Sequence, residues 1–400
     1  MREGKAPSLP KGWEIKELGE LGRVSMCKRI LKKQTLPKGD IPFYKIGTFG
    51  KIPNAFISKE VYEEYLSKYS FPKKGDILIS ASGTIGRRVI YDGKPAYFQD
   101  SNIVWIDNNE RKVLNEYLYK FYGFCNWNPS KGATISRLYN DDLRKIKIPI
   151  PPLPEQKRIV SILDRAFDAI DKAKANAEQN LKNAKVLFES YLQGVFEDNN
   201  WGKEQIKHLT SLVTKGSSPN WQGVNYVDNA GVFFLTSKNV GEGELLLNNK
   251  RYLEDKFNDI QKTSMLKKGD VLTNIVGASI GRTAIFDLEE ITNINQAVCL
   301  MRCLPDKIYN YYLMYFLNSP FFKIILHDNE VNNARANLSL TFFKNLLIPL
   351  PEISEQIEIV ETIKRFLAET KKLEAVYQQK IGDLEELKRS ILQKVFNGEL

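Results

Sequence analysis

Two long stretches of this 400-residue chain repeat apolar side chains at three- and four-residue steps, the spacing that gathers them on one face of a helix. The first runs through Ile159, Ile162, Leu163, Phe167, Ile170, Ala173, Ala177, Leu181, Ala184, Leu187, Phe188, Tyr191, Leu192 and Val195. The second runs through Val360, Ile363, Leu367, Leu373, Val376, Tyr377, Ile381, Leu384, Leu387, Ile391 and Val395. Each pattern holds for about five to six heptads, which predicts helices roughly 60 Å long that pair as a coiled coil. Gly382 is a local weak point, costing about 1 kcal/mol against Ala.

Both helices are launched by the same signal. Pro151-Pro152-Leu153-Pro154-Glu155-Gln156 precedes the first and Pro349-Leu350-Pro351-Glu352-Ile353-Ser354-Glu355-Gln356 the second. Proline forces an extended entry, and a glutamate in the first turn suits the positive end of the helix dipole.

Between these helices the pattern changes to short β-prone runs, and it does so twice. Residues 12–152 and 200–350 read as two versions of one domain. Trp13-Glu14-Ile15 matches Trp201-Gly202-Lys203, and Ile41-Pro42-Phe43-Tyr44 matches Val232-Phe233-Phe234-Leu235. The closest internal match sets Lys73-Lys74-Gly75-Asp76-Ile77-Leu78-Ile79-Ser80 against Lys267-Lys268-Gly269-Asp270-Val271-Leu272-Thr273-Asn274. Each continues into a glycine loop that ends Gly86-Arg87 or Gly281-Arg282. A Gly-Asp turn, an apolar strand and a tight glycine loop make a strand-turn-strand module. Strands at 102–106 and 296–301 follow, then apolar helices around 114–124 and 309–317, a polar segment, and a last strand that returns to the prolines. The unit is therefore a globular part plus a long helix, used twice, which predicts tandem duplication and a pseudo-two-fold molecule.

Charge changes this picture once it is located. The net charge is +10, but residues 155–195 and 355–397 together hold fifteen basic against fourteen acidic side chains, leaving +9 in the globular parts. Such a surface suits a phosphate backbone, although membrane surfaces and acidic proteins attract it too. No apolar run reaches the roughly 18 residues of a membrane span, and the N-terminus lacks an apolar signal region, so a cytoplasmic protein without membrane contact is expected. Cys27, Cys125, Cys299 and Cys303 form no Cys-x-x-Cys pair, and His208 and His327 are the only histidines. Reduced structural thiols and no metal site are expected.

Catalytic motifs are missing. The chain's Pro-Pro pair is flanked by Ile150 and Leu153, not by the residues an amino-methyltransferase needs, and Ser82-Gly83-Thr84-Ile85-Gly86 fits neither a dinucleotide nor a Walker cradle. Asp142 with Glu155-Gln156-Lys157 has the letters of a metal-dependent nuclease. Glu155 and Lys157, however, start a helix behind prolines, and the second copy has Ile357 in place of the lysine.

Leu9-Pro10-Lys11-Gly12-Trp13, the duplicated Lys-Gly-Asp strand with its Gly-x-x-Gly-Arg loop, and Pro-Leu-Pro-x-x-Glu-Gln before a long helix resemble the specificity subunit of type I restriction-modification systems, over essentially the whole chain. The resemblance implies an α+β fold in which two target-recognition domains in tandem are separated by two long helices forming an antiparallel coiled coil. The corresponding boundaries are 1–152 and 200–351 for the recognition domains, with 153–199 and 352–400 for the helices. It implies a non-catalytic subunit that reads a bipartite site in double-stranded DNA and docks a pair of methyltransferase subunits and restriction/translocase subunits. No cofactor is expected on this chain; S-adenosylmethionine, ATP and Mg belong to the partners. A nuclease or methyltransferase fusion without recognisable motifs, and a coiled-coil scaffold for acidic proteins, are the alternatives.

Analogy and side-chain chemistry together nominate DNA-contacting residues. In the first domain these are Lys45, Ser82, Arg87, Arg88, Thr134, Ser136 and Arg137; in the second, Ser237, Lys238, Asn239, Arg282, Asn333, Arg335 and Asn337. Arg and Asn pair with guanine and adenine edges, whereas Lys, Ser and Thr more often hold phosphates.

Overall fold

The computed structural model describes residues 9–127, 137–197, 200–228, 231–332 and 338–399. The chain divides into two compact units, Met1–Ala177 with Gln379–Leu400, and Glu178–Gln378. Each unit contains one globular part and a portion of each long helix, Leu153–Glu197 and Ile353–Phe396.

In the first unit a four-stranded antiparallel sheet runs in the order Gly22–Ser25, Ile103–Asn108, Ile77–Ser80, Arg88–Ile90. A smaller sheet places Ile41–Tyr44 between antiparallel Phe56–Ile57 and parallel Tyr97–Phe98. The second unit repeats both. Its main sheet is Thr210–Lys215, Val298–Cys303, Val271–Asn274, Thr283–Ile285, and its smaller sheet centres on Val232–Leu235, parallel to Thr292–Ile294. Each unit also pairs its opening strand with its last one, Glu14–Glu17 with Lys147–Ile150 and Lys203–Gln205 with Leu347–Pro349.

The repeated motifs have local causes. Asp76 and Asp270 each accept the backbone N–H of the lysine three residues earlier at 2.7 Å, closing a turn whose Gly75 and Gly269 sit at φ +93° and +92°. That left-handed conformation costs glycine nothing. Gly86 and Gly281 are also left-handed, and a Cβ there would strike the indole of Trp127 or the side chain of Leu326.

The prolines and the glutamine after them form one device. Gln156 is fully buried; its Oε1 accepts the Leu114 N–H at 2.8 Å, and its Nε2 donates to the Lys112 and Pro151 carbonyls at 2.9 and 2.8 Å. Gln356 does the same with Tyr309 N–H and the Lys307 and Pro351 carbonyls. Each glutamine thus satisfies an orphan donor at the start of a short helix and two backbone carbonyls, groups that would be costly to bury unpaired. Tyr117 and Tyr312 donate their hydroxyls to the Pro149 and Pro349 carbonyls at 2.8 and 2.9 Å.

The far ends of the helices are held by aromatic packing. Phe196 sits edge-on to Tyr312 and Phe316 in the second unit; Phe396 sits likewise against Tyr117 and Phe121 in the first. Within the first unit the two helices are joined by Lys388–Asp171 at 2.8 Å and Lys174–Glu385 at 2.6 Å. Within the second, Phe366 packs on Phe188 and Tyr191. The helices therefore pair antiparallel.

The seam differs in detail from a uniform heptad reading. Leu187, Leu373, Val376 and Leu387 are 44–60% exposed, while Thr370 is buried with its hydroxyl on the Phe366 carbonyl. A straight helix drifts about 20° per heptad, so apolar residues at the seam edge rotate out. Two further helices, Lys59–Lys68 and Pro320–Asn332, fall where no helix is expected from the sequence.

Candidate nucleic-acid interface

In the second unit, the end of strand Val232–Leu235, the turn Ser237–Asn239, the loop 246–251 and Asn295-Gln296 surround an open cleft of about 870 Å³. Its polar lining includes Lys238, Asn248, Asn249, Lys250, Arg251 and Gln296, and no carboxylate lines it among the described residues. Lys238, Asn248, Asn249 and Arg251 are exposed; Asn295 and Gln296 are half-buried and lie deeper. The Arg251 guanidinium stacks 4.3 Å from the Tyr226 ring, and Lys250 is held by Glu290 at 2.5 Å. Desolvation opposes that pair, yet the hydrogen bonds from Lys250 and Tyr252 leave Glu290 below the usual carboxylate range. Beside the cleft, Trp221 stands 79% exposed on the turn Pro219–Gln222.

The candidates of this unit divide. Lys238 faces the cleft, and the Ser237 carbonyl is taken by Asn274 Nδ2 at 2.9 Å. Asn239 is 4% exposed and fully engaged: Oδ1 accepts from the Thr236 N–H and hydroxyl, and Nδ2 donates to the Leu246 carbonyl. It shapes the turn. Arg282 is exposed after its glycine loop. Asn333, Arg335 and Asn337 lie outside the described residues.

In the first unit the corresponding surface is internally paired. Arg29 binds Asp100 at 2.9 Å, the Gln99 side chain accepts the Ile46 N–H at 2.8 Å, and Arg137 donates to the Ser101 carbonyl at 3.2 Å. Ser101 holds φ +54°, an uncommon conformation for a residue with a Cβ. Lys45 is exposed at the end of its strand, its ammonium 5.9 Å from the Phe43 ring. Arg87 reaches across to the Phe49 carbonyl at 3.0 Å and so clamps the loop that follows Lys45. Ser82 is buried, donating to Asn102 Oδ1 at 2.8 Å and bridging to Arg137. Arg88 turns the other way, its guanidinium 4.5 Å from the Tyr119 ring and lining a cavity of about 570 Å³ with the helix residues Asp164, Phe167 and Lys388. Thr134 and Ser136 lie outside the described residues.

The structure thus places Ser237 and Lys238 on one cleft, ties Arg87 and Arg137 to loop carbonyls of the first unit and leaves Lys45 exposed. It gives Ser82 and Asn239 internal roles and sends Arg88 to the helices. Asn248, Asn249, Lys250, Arg251, Asn295 and Gln296 line the cleft without belonging to any motif of the sequence. The one signal was the acid-free polar run Asn248-Asn249-Lys250-Arg251 before a strand.

Among the described residues no cluster of His, Cys, Asp and Glu could hold a metal ion, and no helix is long and apolar enough to cross a membrane. All four cysteines are free thiols, and burial pushes each up to about 12.

The duplicated unit matches a known family. The family described as "Type I restriction modification DNA specificity domain" covers residues 10–182 and 214–382. The chain belongs to this family. A putative type I restriction enzyme specificity subunit of Haemophilus influenzae is 68% identical over 152 residues, 38% of this chain and 40% of that relative's length. The EcoBI specificity subunit of Escherichia coli is 27% identical over 376 residues, covering 87% of this chain and 77% of that one. The MjaVIII specificity subunit of Methanocaldococcus jannaschii is 24% identical over 416 residues, covering 98% and 94%. Among solved structures, the HsdS subunit of Thermoanaerobacter tengcongensis shares the fold with a TM-score of 0.62 at 20% identity, over the full length of both chains. A chain from work on complex assembly and conformational transition of the type I R-M system does so with a TM-score of 0.75 at 19% identity, covering 98% of this chain and all of that one.

Proposed function

We propose that this chain is the DNA-specificity subunit of a type I restriction-modification enzyme, itself non-catalytic, and that it reads a bipartite site in double-stranded DNA. The observation that carries the reading is the duplication: one specificity fold occurs twice, each copy with its own polar surface and its own grip on both long helices. Residues 1–152 and 200–351 act as the two target-recognition domains, and the helices 153–199 and 352–400 set the distance and rotation between their half-sites. Excess positive charge outside the helices supplies the phosphate attraction that positions the protein, while side chains at the loops supply base readout. Lys45, Arg87 and Arg137 in the first domain and Lys238 and Arg282 in the second are the contacts we assign from the earlier candidates.

Methyl transfer and cleavage belong to partners. A pair of methyltransferase subunits binding S-adenosylmethionine, and restriction/translocase subunits using ATP and Mg, dock on this chain in the cytoplasm. The test is a gel shift with a methylated-motif oligonucleotide, with and without the methyltransferase subunit. Sequence-dependent binding by the assembled complex supports the reading. Equal affinity for all duplexes points instead to a scaffold for acidic partners.

A further inference from the structure

The two polar surfaces differ in which hydrogen-bonding groups remain free. In the first unit the side chains of Gln99 and Asp100 are each committed to a partner within the chain. In the second, the side chains of Asn248, Asn249 and Gln296 make no hydrogen bond among the described residues, and no carboxylate lines the cleft they share. Asn295 is different, since its Oδ1 already accepts the Ala297 N–H at 3.1 Å.

A free carboxamide presents a donor and an acceptor side by side. That pair complements the N6 donor and N7 acceptor of adenine in the major groove, whereas guanine offers two acceptors there and calls for Arg or Lys. The cleft's single arginine, Arg251, is stacked on Tyr226; of its two lysines, Lys250 is held by Glu290 and Lys238 is exposed. We infer that the second unit reads adenine in its half-site through the carboxamides of Gln296, Asn248 and Asn249, while Lys238 and Arg251 hold the flanking phosphates. Gln296, half-buried behind the exposed asparagines, has the least freedom to lose on binding and dominates the discrimination.

This inference rests on the DNA-specificity reading above, and its test separates the two. The complex assembled with the methyltransferase subunit is offered a duplex library randomised through both half-sites, and methylated products are sequenced. Gln296→Leu, close in shape, should relax the preference for adenine at one or two positions of one half-site by about 10- to 100-fold. Asn248→Ala and Asn249→Ala, at exposed positions where folding is not at risk, should relax it at adjacent positions, and Lys238→Ala should weaken binding without changing any preference. The other half-site should be untouched by all four. Adenine preferences that survive Gln296→Leu and the two alanine variants together, or a loss confined to guanine positions, overturn the assignment while leaving the DNA-specificity reading in place. A wild-type complex that methylates without half-site preference overturns both.

Discussion

The two copies of the Lys-Gly-Asp turn have the same backbone and opposite surroundings. Asp76 and Asp270 make the same 2.7 Å bond to their turns. On the neighbouring strand, however, the second unit places Arg302, which grips Asp270 with two hydrogen bonds at 2.8 and 2.7 Å, and the first places Asp107. Burial raises Asp76 above the ordinary carboxylate value of 3.8, against the bond from Lys73, and Asp107 pushes it further up. The clefts diverge in the same manner, committed in the first unit and open in the second. Backbone devices are thus held in common, while side chains that meet charge have been free to change. A DNA-reading pair requires that arrangement, because two half-sites need one scaffold and two codes.

Substitutions in the shared devices should act alike in both units. Phe196→Ala removes a buried ring packed on two aromatic rings and Phe396→Ala one packed on three, and each should cost about 3–5 kcal/mol in urea unfolding. A large loss in one and none in the other would break the equivalence of the units. Gln156→Ala and Gln356→Ala each strand a buried N–H and two carbonyls, so about 2–4 kcal/mol is expected from either.

At the divergent position the signs should differ. Asp270→Asn leaves the part-exposed Arg302 without its carboxylate and should cost about 2 kcal/mol. Asp76→Asn keeps the acceptor for the Lys73 N–H and removes an unfavourable charge, so at pH 7 it should be neutral or stabilising. Because the folded-state pKa of Asp76 is raised, the stability it contributes is full below its unfolded value and is lost as pH rises through the folded value. The Asn variant should lack that loss, which denaturation series from pH 3 upward would detect. The smallest effect is expected on salt dependence: Lys45→Ala and Lys238→Ala should each reduce the slope of log affinity against log salt by about 0.9, one phosphate apiece.

Much of the fold was legible because its signals are local. Prolines ahead of Glu155 and Glu355, the Gly-Asp turns and the repeated apolar strands each constrain the backbone where they stand, and duplication supplied every signal twice. The role of Gln156 and Gln356 was not legible, since a glutamine in a first helical turn looks solvated until the packed short helix shows which backbone groups it completes. Arg88 reads from the sequence as a DNA contact at a strand end; in the structure it packs on Tyr119 and lines a cavity with helix residues instead. The loop 246–251 has no periodicity at all, so the convergence of Asn248 and Gln296 on one cleft emerges only from tertiary packing.

In the proposed function each unit specifies one half-site while the helices specify the gap. Lengthening both long helices by one turn, about 5–6 Å, should widen the unspecified gap and leave both half-sites unchanged. The most direct test replaces residues 12–150 with the equivalent domain of a relative and sequences the methylated motif of cells that also express the methyltransferase partner. One half-site should be rewritten, with the other half-site identical and the gap conserved. A motif altered in both halves, or in neither, would contradict the proposed function.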